Sequence, residues 1–256
     1  MTITTPPDLL KLLAHELRWQ ILVALATSDR RVQELVDLVA RPMNLISYHL
    51  RLLREAGIVQ EHRSAADGRD LYYSLVLPQV VQQFHSIGRQ LHPALGCPAT
   101  SAPRQTDASI LFLCTRNSAR SQMAEALMRS KAEERPIVVA SAGSQPATVD
   151  TDAIRALAEL GIEITGQQSK HLDLFRDHHF DYVVTVCDQV REECPVFPGA
   201  PNTIHWSIPD PVTAKGTSEE RLAVFAATAR ELATRVEHLL LRLDAEATDH
   251  VQSGDN

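Results

Sequence analysis

Residues 110–129 read ILFLCTRNSARSQMAEALMR, and the change of character inside this stretch decides the fold. ILFLC at 110–114 is a short, continuously apolar run, the mark of a strand buried on both faces of a parallel sheet. Polar and small residues then break the run, and over 121–132 the spacing turns helical. Downstream the alternation continues, with a strand over 136–140, a helix over roughly 150–160, DYVVTV at 181–186, TIHW at 203–206 and a long helix over 218–243. Strands alternating with helices predict an α/β domain over 108–243 built on a four-stranded parallel sheet. DAEATDHVQSGDN, residues 244–256, reads as a polar, frayed tail.

The loop between that first strand and helix carries the densest chemistry in the chain. Cys114 directly follows the strand, five residues intervene, and Arg120 leads into the helix. Such a loop, running through Thr115, Arg116, Asn117, Ser118 and Ala119 to Arg120 and Ser121, can wrap backbone N–H groups around a tetrahedral oxyanion, with the helix N-terminus adding its positive end. Arg120 suits bidentate contact to two oxygens. The same field suits a nucleophilic thiolate at Cys114, held in line with the central atom. Asn117 and Ser121 are candidates for holding the loop and hydrogen-bonding the sulfur. A proton donor to the leaving oxygen belongs opposite, and Asp210 in HWSIPDP is the candidate. Cys187 ends the strand DYVVTVC, on the same C-terminal sheet edge as Cys114, and Cys194 lies seven positions later. Hydrolysis needs only the first thiol. The other two are either incidental or carry oxidising equivalents outward by thiol–disulfide exchange.

Upstream, prolines at 93, 98 and 103 mark residues 93–107 as a linker, with Cys97 inside it and without a role. Residues 1–92 are mainly helical in pattern. One helix is expected over 8–28, a second over 31–38 and a third over 43–55, where Pro42 starts the helix and Gly57 stops it. IVQEHRS at 58–64 and DLYYSL at 70–75 flank the turn signal Asp67-Gly68, and a closing helix spans 79–92. This is the layout of a winged helix-turn-helix. Its third helix is expected to present Asn44, Ser47, Tyr48 and Arg51 outward and to bury Leu45, Leu50 and Leu53. Arg51, Arg54 and Arg63 suit phosphates, and Arg69 is a wing-tip candidate for the minor groove. A helical bundle with a solvated docking face is the alternative.

Composition sets the outer bounds. Hydrophobic residues at 44% and charged residues at 22% exclude a wholly disordered chain. The apolar runs fall far short of the roughly 20 residues of a membrane span, and no secretory leader is visible. Four cysteines in 256 residues are too few for a disulfide scaffold, so a cytoplasmic protein is expected. The net charge of -7 hides a split: residues 1–98 hold 10 basic and 9 acidic side chains, the remainder 15 and 23. His15, His49, His62, His85 and His92 lack tight ligand spacing, and no metal site is expected.

Two resemblances sharpen this. DLLKLLAHELRWQILVAL and NLISYHLRLLREAGIVQEHRSAADGRDLYYSL resemble ArsR-type transcriptional regulators. That likeness implies a homodimer on double-stranded operator DNA, paired through segments near 8–16 and 79–92. The family's sensing cysteines are missing from ARPMNLISYHL. ILFLCTRNSARSQMAEALMR, SAGS at 141–144, AIRALAELGIEITGQQSK at 153–170, VVTVCD at 183–188 and HWSIPDP at 205–211 resemble thioredoxin-coupled arsenate reductases built on the low-molecular-weight tyrosine phosphatase fold. That likeness implies arsenate as substrate, Cys114 as nucleophile, Arg120 as anion holder and Asp210 as general acid. It further implies Cys187 and Cys194 as a relay ending in a redox disulfide, no bound cofactor, and thioredoxin or a similar dithiol as external reductant. Arg116 replaces a frequent glycine, and Ala119 a frequent cysteine. A phosphatase, or a sensor without turnover, is the alternative for this half.

Overall fold

Strand-forming and helix-forming segments sort into two units, Met1–Ser101 and Ala102–Asn256. The computed structural model describes residues 5–66, 68–92, 95, 107–132, 135–164, 166–193 and 202–253. Cys194, Cys97, Asp67, most of the 93–107 linker and the last residues of the tail lie outside the described residues.

The first unit opens with α1 (Asp8–Leu13) and α2 (Glu16–Thr27) where one helix was expected. His15 causes the break: its Nδ1 accepts from Leu17 N at 3.2 Å and caps α2. Arg18 reaches back to carbonyls freed at the end of α1, donating to Lys11 O at 3.2 Å and to Leu12 O. The leucine spacing runs through the break because Leu9, Leu17, Ile21, Leu22 and Leu25 share one core. After β1 (Arg30–Arg31) and α3 (Val32–Val39) comes α4 (Met43–Glu55). Leu45 is exposed rather than buried, and α4 turns Ile46, His49, Leu50 and Leu53 inward. That set keeps i, i+3, i+4, i+7 spacing, a better helical register than one counted from leucines alone. Gly57, at φ 71°, ends the helix, and Ile58 N donates back to Leu53 O at 3.2 Å.

β2 (Val59–Arg63) and β3 (Leu71–Leu75) pair antiparallel from Val59↔Leu75 to Arg63↔Leu71, and beyond the last pair Ser64 N donates to Asp70 O at 2.8 Å. The short β1 adds a third strand beside β3, in the order β1-β3-β2. α5 (Leu77–Leu91) closes the unit.

The second unit is a sheet of four strands, β4 (Ala108–Cys114), β5 (Ile137–Gly143), β6 (Tyr182–Thr185) and β7 (Asn202–His205). Their order is β5-β4-β6-β7 and every pairing is parallel. Central β4 buries Ile110, Leu111, Phe112 and Leu113 in succession, as a strand covered on both faces must. α6 (Arg120–Ala132) packs on β4 and β5, and α7 (Thr151–Ala158) on α9 (Ser218–Ser253). α8 (Asp188–Glu193) packs on β4 and β6. The last helix runs past Leu243 to Ser253, where a frayed tail was expected. Polar anchors account for it: Arg135 pairs with Asp244 at 3.0 Å, and Glu246 accepts from Tyr182 Oη and from Arg242 Nε.

Candidate active site

Parallel strands bring their C-terminal ends to one edge of a sheet, and here that edge gathers thiols. β4 ends at Cys114, and beside it Val186 N donates to Leu113 O at 2.8 Å, so Cys187 follows β6 at the same edge. Both cysteines are free and buried. Thr115, next to Cys114 in the chain, touches the second thiol: its Oγ1 lies 3.5 Å from Cys187 Sγ and donates to Gln189 Oε1 at 3.3 Å. Burial pushes the Cys187 thiol above its ordinary range; the Arg120 charge opposes this, Cys114 adds to it, and the Thr115 hydroxyl opposes it.

The loop after Cys114 is shaped around its sulfur. Asn117 takes a left-handed φ of 46°, a conformation asparagine tolerates, and its N–H donates to Cys114 Sγ at 3.1 Å. Ser121 Oγ stands 2.9 Å from the same sulfur. The Asn117 amide uses all four of its hydrogen-bonding positions. Nδ2 donates to Ser121 Oγ and Ser141 Oγ at 2.8 Å each, and Oδ1 accepts from Gln122 Nε2 at 3.0 Å and Lys170 N at 2.7 Å. The carbonyls of Thr115, Arg116 and Ser118 accept from Gln145 N, Ala147 N and Asp150 N. Carbonyls committed outward are what an anion loop needs, since its N–H groups must converge on the other side. Ser118 and Ala119 are buried with the loop, and Arg116 is its exposed member.

Arg120 and Asp210 meet. Arg120, nearly buried, donates through Nη1 to Ile208 O at 2.8 Å, and its Nη2 pairs with Asp210 Oδ2 at 3.1 Å. The other Asp210 oxygen accepts from Val212 N, capping the 3-10 turn Pro211–Thr213. The guanidinium whose charge acts on the buried Cys187 thiol therefore also holds a carboxyl group on a short turn.

Several residues that hold this site are not singled out by the sequence reading. Glu125 is almost fully buried on α6, accepting from Ser141 Oγ, from Arg129, and from Lys170 Nζ at 3.4 Å. A carboxylate in that position is tolerable only with such partners. The readable sign was a charge inside the apolar run MAEALM. Asp188 and His205, both buried beside Cys187, were equally unmarked.

In the first unit, Asn44, Ser47, Tyr48 and Arg51 share the exposed face of α4. The Arg51 guanidinium lies 5.6 Å from the Tyr48 ring centre and its Nε 3.9 Å from Glu55. Arg54 is drawn instead into a pair with Glu61 of β2. Arg63 donates to Gly68 O at 3.2 Å, and Arg69 is exposed beside it. Among the described residues no three His, Cys, Asp or Glu side chains converge as a metal site, and no helix is long and apolar enough to cross a membrane.

Comparison with known proteins accounts for both units. Residues 109–249 match the family model of the low molecular weight phosphotyrosine protein phosphatases, and residues 15–61 match that of bacterial regulatory proteins of the arsR family. An arsenate reductase of Shouchella clausii is 39% identical over 129 residues, 50% of this chain and 91% of the relative. One of Halalkalibacterium halodurans is 39% identical over 127 residues, with the same two shares. A solved structure described as an arsenate reductase in oxidized state is 29% identical, covering 53% of this chain and 98% of that one at a TM-score of 0.47. The chain belongs to the low molecular weight phosphotyrosine protein phosphatase family, its second unit matching the arsenate reductases and its first an arsR-type helix-turn-helix fused ahead of it.

Proposed function

We propose that the second unit reduces arsenate to arsenite by a three-thiol relay, while the first reads a palindromic operator as a homodimer. The observation that carries the enzymatic reading is a second buried thiol, Cys187, 3.5 Å from the hydroxyl of the residue after Cys114 and within the field of Cys114 and of the Arg120 that pairs with Asp210. Cys114 attacks arsenic while Arg120 and the loop amides hold the oxygens, and Asp210 gives a proton to the oxygen that leaves as water. Cys187 then attacks the Cys114 sulfur. The S–S bond forms as the S–As bond breaks, and the electron pair stays on arsenic, which falls from As(V) to As(III). The Cys187 proton leaves with arsenite. Cys194 next displaces Cys114 from Cys187, and the Cys187–Cys194 disulfide passes to thioredoxin or a similar dithiol. The relay needs a reducing compartment, so the cytoplasm is its proposed setting.

A phosphatase reading shares Cys114, Arg120 and Asp210 and leaves Cys187 unused. Anaerobic arsenate turnover with a thioredoxin system, run beside hydrolysis of p-nitrophenyl phosphate, separates the two. Cys114→Ser abolishes both activities. Cys194→Ser gives about one turnover and stalls with Cys114 joined to Cys187. Sustained thioredoxin-driven turnover by Cys187→Ser or Cys194→Ser sinks the relay. On the DNA side, Asn44, Ser47 and Tyr48 serve base edges in this proposal, and Arg51, Arg54, Arg63 and Arg69 the phosphates and wing. Val81 and Phe84 of α5 stay exposed as surface for a second copy, whereas Leu9 and Ile87 are core.

A further inference from the structure

Behind the second thiol lies a buried polar cluster that the relay does not use. Asp188, the residue after Cys187 and the first of α8, is 1% exposed, as is His205 at the end of β7. His205 Nε2 lies 3.2 Å from Asp188 Oδ1, and the carboxylate being an acceptor, the imidazole donates. The other ring nitrogen, Nδ1, lies 2.8 Å from Thr185 Oγ1 on β6. Ser207 Oγ also donates to Asp188. One imidazole thus ties the end of β6, the last residue of β7 and the start of α8 together, and Cys187 sits between the two tied points, Thr185 and Asp188.

A buried carboxylate–imidazole pair is costly to assemble and no better for packing than apolar side chains of the same volume. Its cost is accounted for if geometry at Cys187 is what it provides. Attack on the Cys114 sulfur requires the second sulfur in line with the S–As bond, and a displacement of about 1 Å costs on the order of 10²-fold in rate. Nothing in the first step needs Cys187, since anion capture and attack on arsenic belong to Cys114, its loop, Arg120 and Asp210.

We propose that His205 is a positioning residue which, through Asp188, holds Cys187 in place for the second thiol step. The inference rests on the reductase reading. In that step Cys187 and Cys114 lose two electrons to arsenic in becoming a disulfide, and the Cys187 proton leaves with arsenite. His205 and Asp188 exchange no electrons and form no bond with substrate.

The test uses full-length protein, an anaerobic arsenate pulse, acid quench and mass mapping of the Cys114–Cys187 disulfide. In parallel, inhibition by inorganic phosphate reports oxyanion affinity. Asparagine places its amide nitrogen near the imidazole Nδ1, glutamine near Nε2, so His205→Gln keeps the donor to Asp188 and His205→Asn loses it. We expect disulfide formation to slow about 10- to 100-fold in His205→Asn and Asp188→Asn, and to stay within about threefold of wild type in His205→Gln. Phosphate inhibition remains unchanged in all three. Ser207→Ala, which removes one donor from the same carboxylate, gives a smaller loss and replaces the first two variants should they not fold. Equal slowing in the asparagine and glutamine variants, unchanged disulfide formation, or a parallel loss of phosphate affinity overturns the positioning role. Wild-type protein that releases no arsenite and forms no Cys114–Cys187 disulfide overturns the reductase reading itself, and the inference with it.

Discussion

Asp210 has two incompatible duties. In the structure its carboxylate pairs with Arg120 at 3.1 Å, yet in the proposed mechanism it must, as general acid, deliver a proton once an oxyanion has taken that guanidinium. Substrate therefore competes with Asp210 for Arg120. Asp210→Asn should bind inorganic phosphate more tightly than wild type while slowing the chemical step by roughly 10²–10⁴-fold, the usual range for a lost general acid. Weaker phosphate binding in the steady-state competition would falsify that account. Cys187 makes a second, pH-dependent case. Its thiol is raised by burial, and in the proposed relay its thiolate is the attacking form, so formation of the Cys114–Cys187 disulfide should accelerate as pH rises. The single-turnover rate should still be climbing at the ordinary thiol value of about 8.5. A plateau near neutrality contradicts it. Cys114, Arg120 and Asp210 stand out in the sequence as candidates because each stands at a marked place: a strand end, a helix start, a proline turn. Glu125, Lys170, Asp188 and His205 were not, because a buried polar residue is recognisable only through the partners that make its burial tolerable.

Gly143 shows how two elements are fitted to one another. A Cβ built there lies 2.6 Å from Thr115 O, 2.8 Å from Asn117 N and 2.9 Å from Cys114 O, all backbone atoms of the anion loop. The end of β5 thus presses directly on the loop, which explains why SAGS holds a glycine at that position. Gly143→Ala should cost about 1–3 kcal/mol in a denaturant titration, as overpacking does. Arsenate turnover should fall further than stability alone accounts for, because one displaced atom, Asn117 N, donates to the Cys114 sulfur that the proposed mechanism uses. Element identities were readable wherever one physical signal dominated. Continuous apolar residues marked β4, and alternation of strand with helix marked the parallel sheet. Boundaries failed where side-chain chemistry outweighed periodicity. His15 splits one apparent helix into α1 and α2 by capping the second. The Arg135–Asp244 pair and the Tyr182–Glu246 hydrogen bond carry α9 past its last leucine. The burial of Glu246's partner also lifts the Tyr182 hydroxyl to about 12, with Glu246 itself adding to the rise.

The chain combines a nearly neutral first unit with a strongly acidic second one, a division that net charge alone conceals. The proposed DNA affinity must then come from local placement of cations rather than from overall charge. Arg51 is stacked near Tyr48 on the exposed face of α4 and is only distantly paired with Glu55. In full-length protein, Arg51→Ala should weaken operator binding and reduce the slope of log affinity against log salt by about one. An unchanged slope in a fluorescence titration removes Arg51 from the phosphate contacts. The adjacency of β4 and β6 has another effect. Joining Cys114 to Cys187 would close a ring of chain from 114 to 187 across neighbouring strands. Loop closure of that length removes freedom from the unfolded chain worth up to about 4 kcal/mol. In the proposed relay the protein would be a differently tied molecule halfway through each cycle, harder to unravel until the third thiol acts. Cys194→Ser protein trapped after an arsenate pulse should accordingly melt at a higher temperature and resist protease longer than the same protein fully reduced.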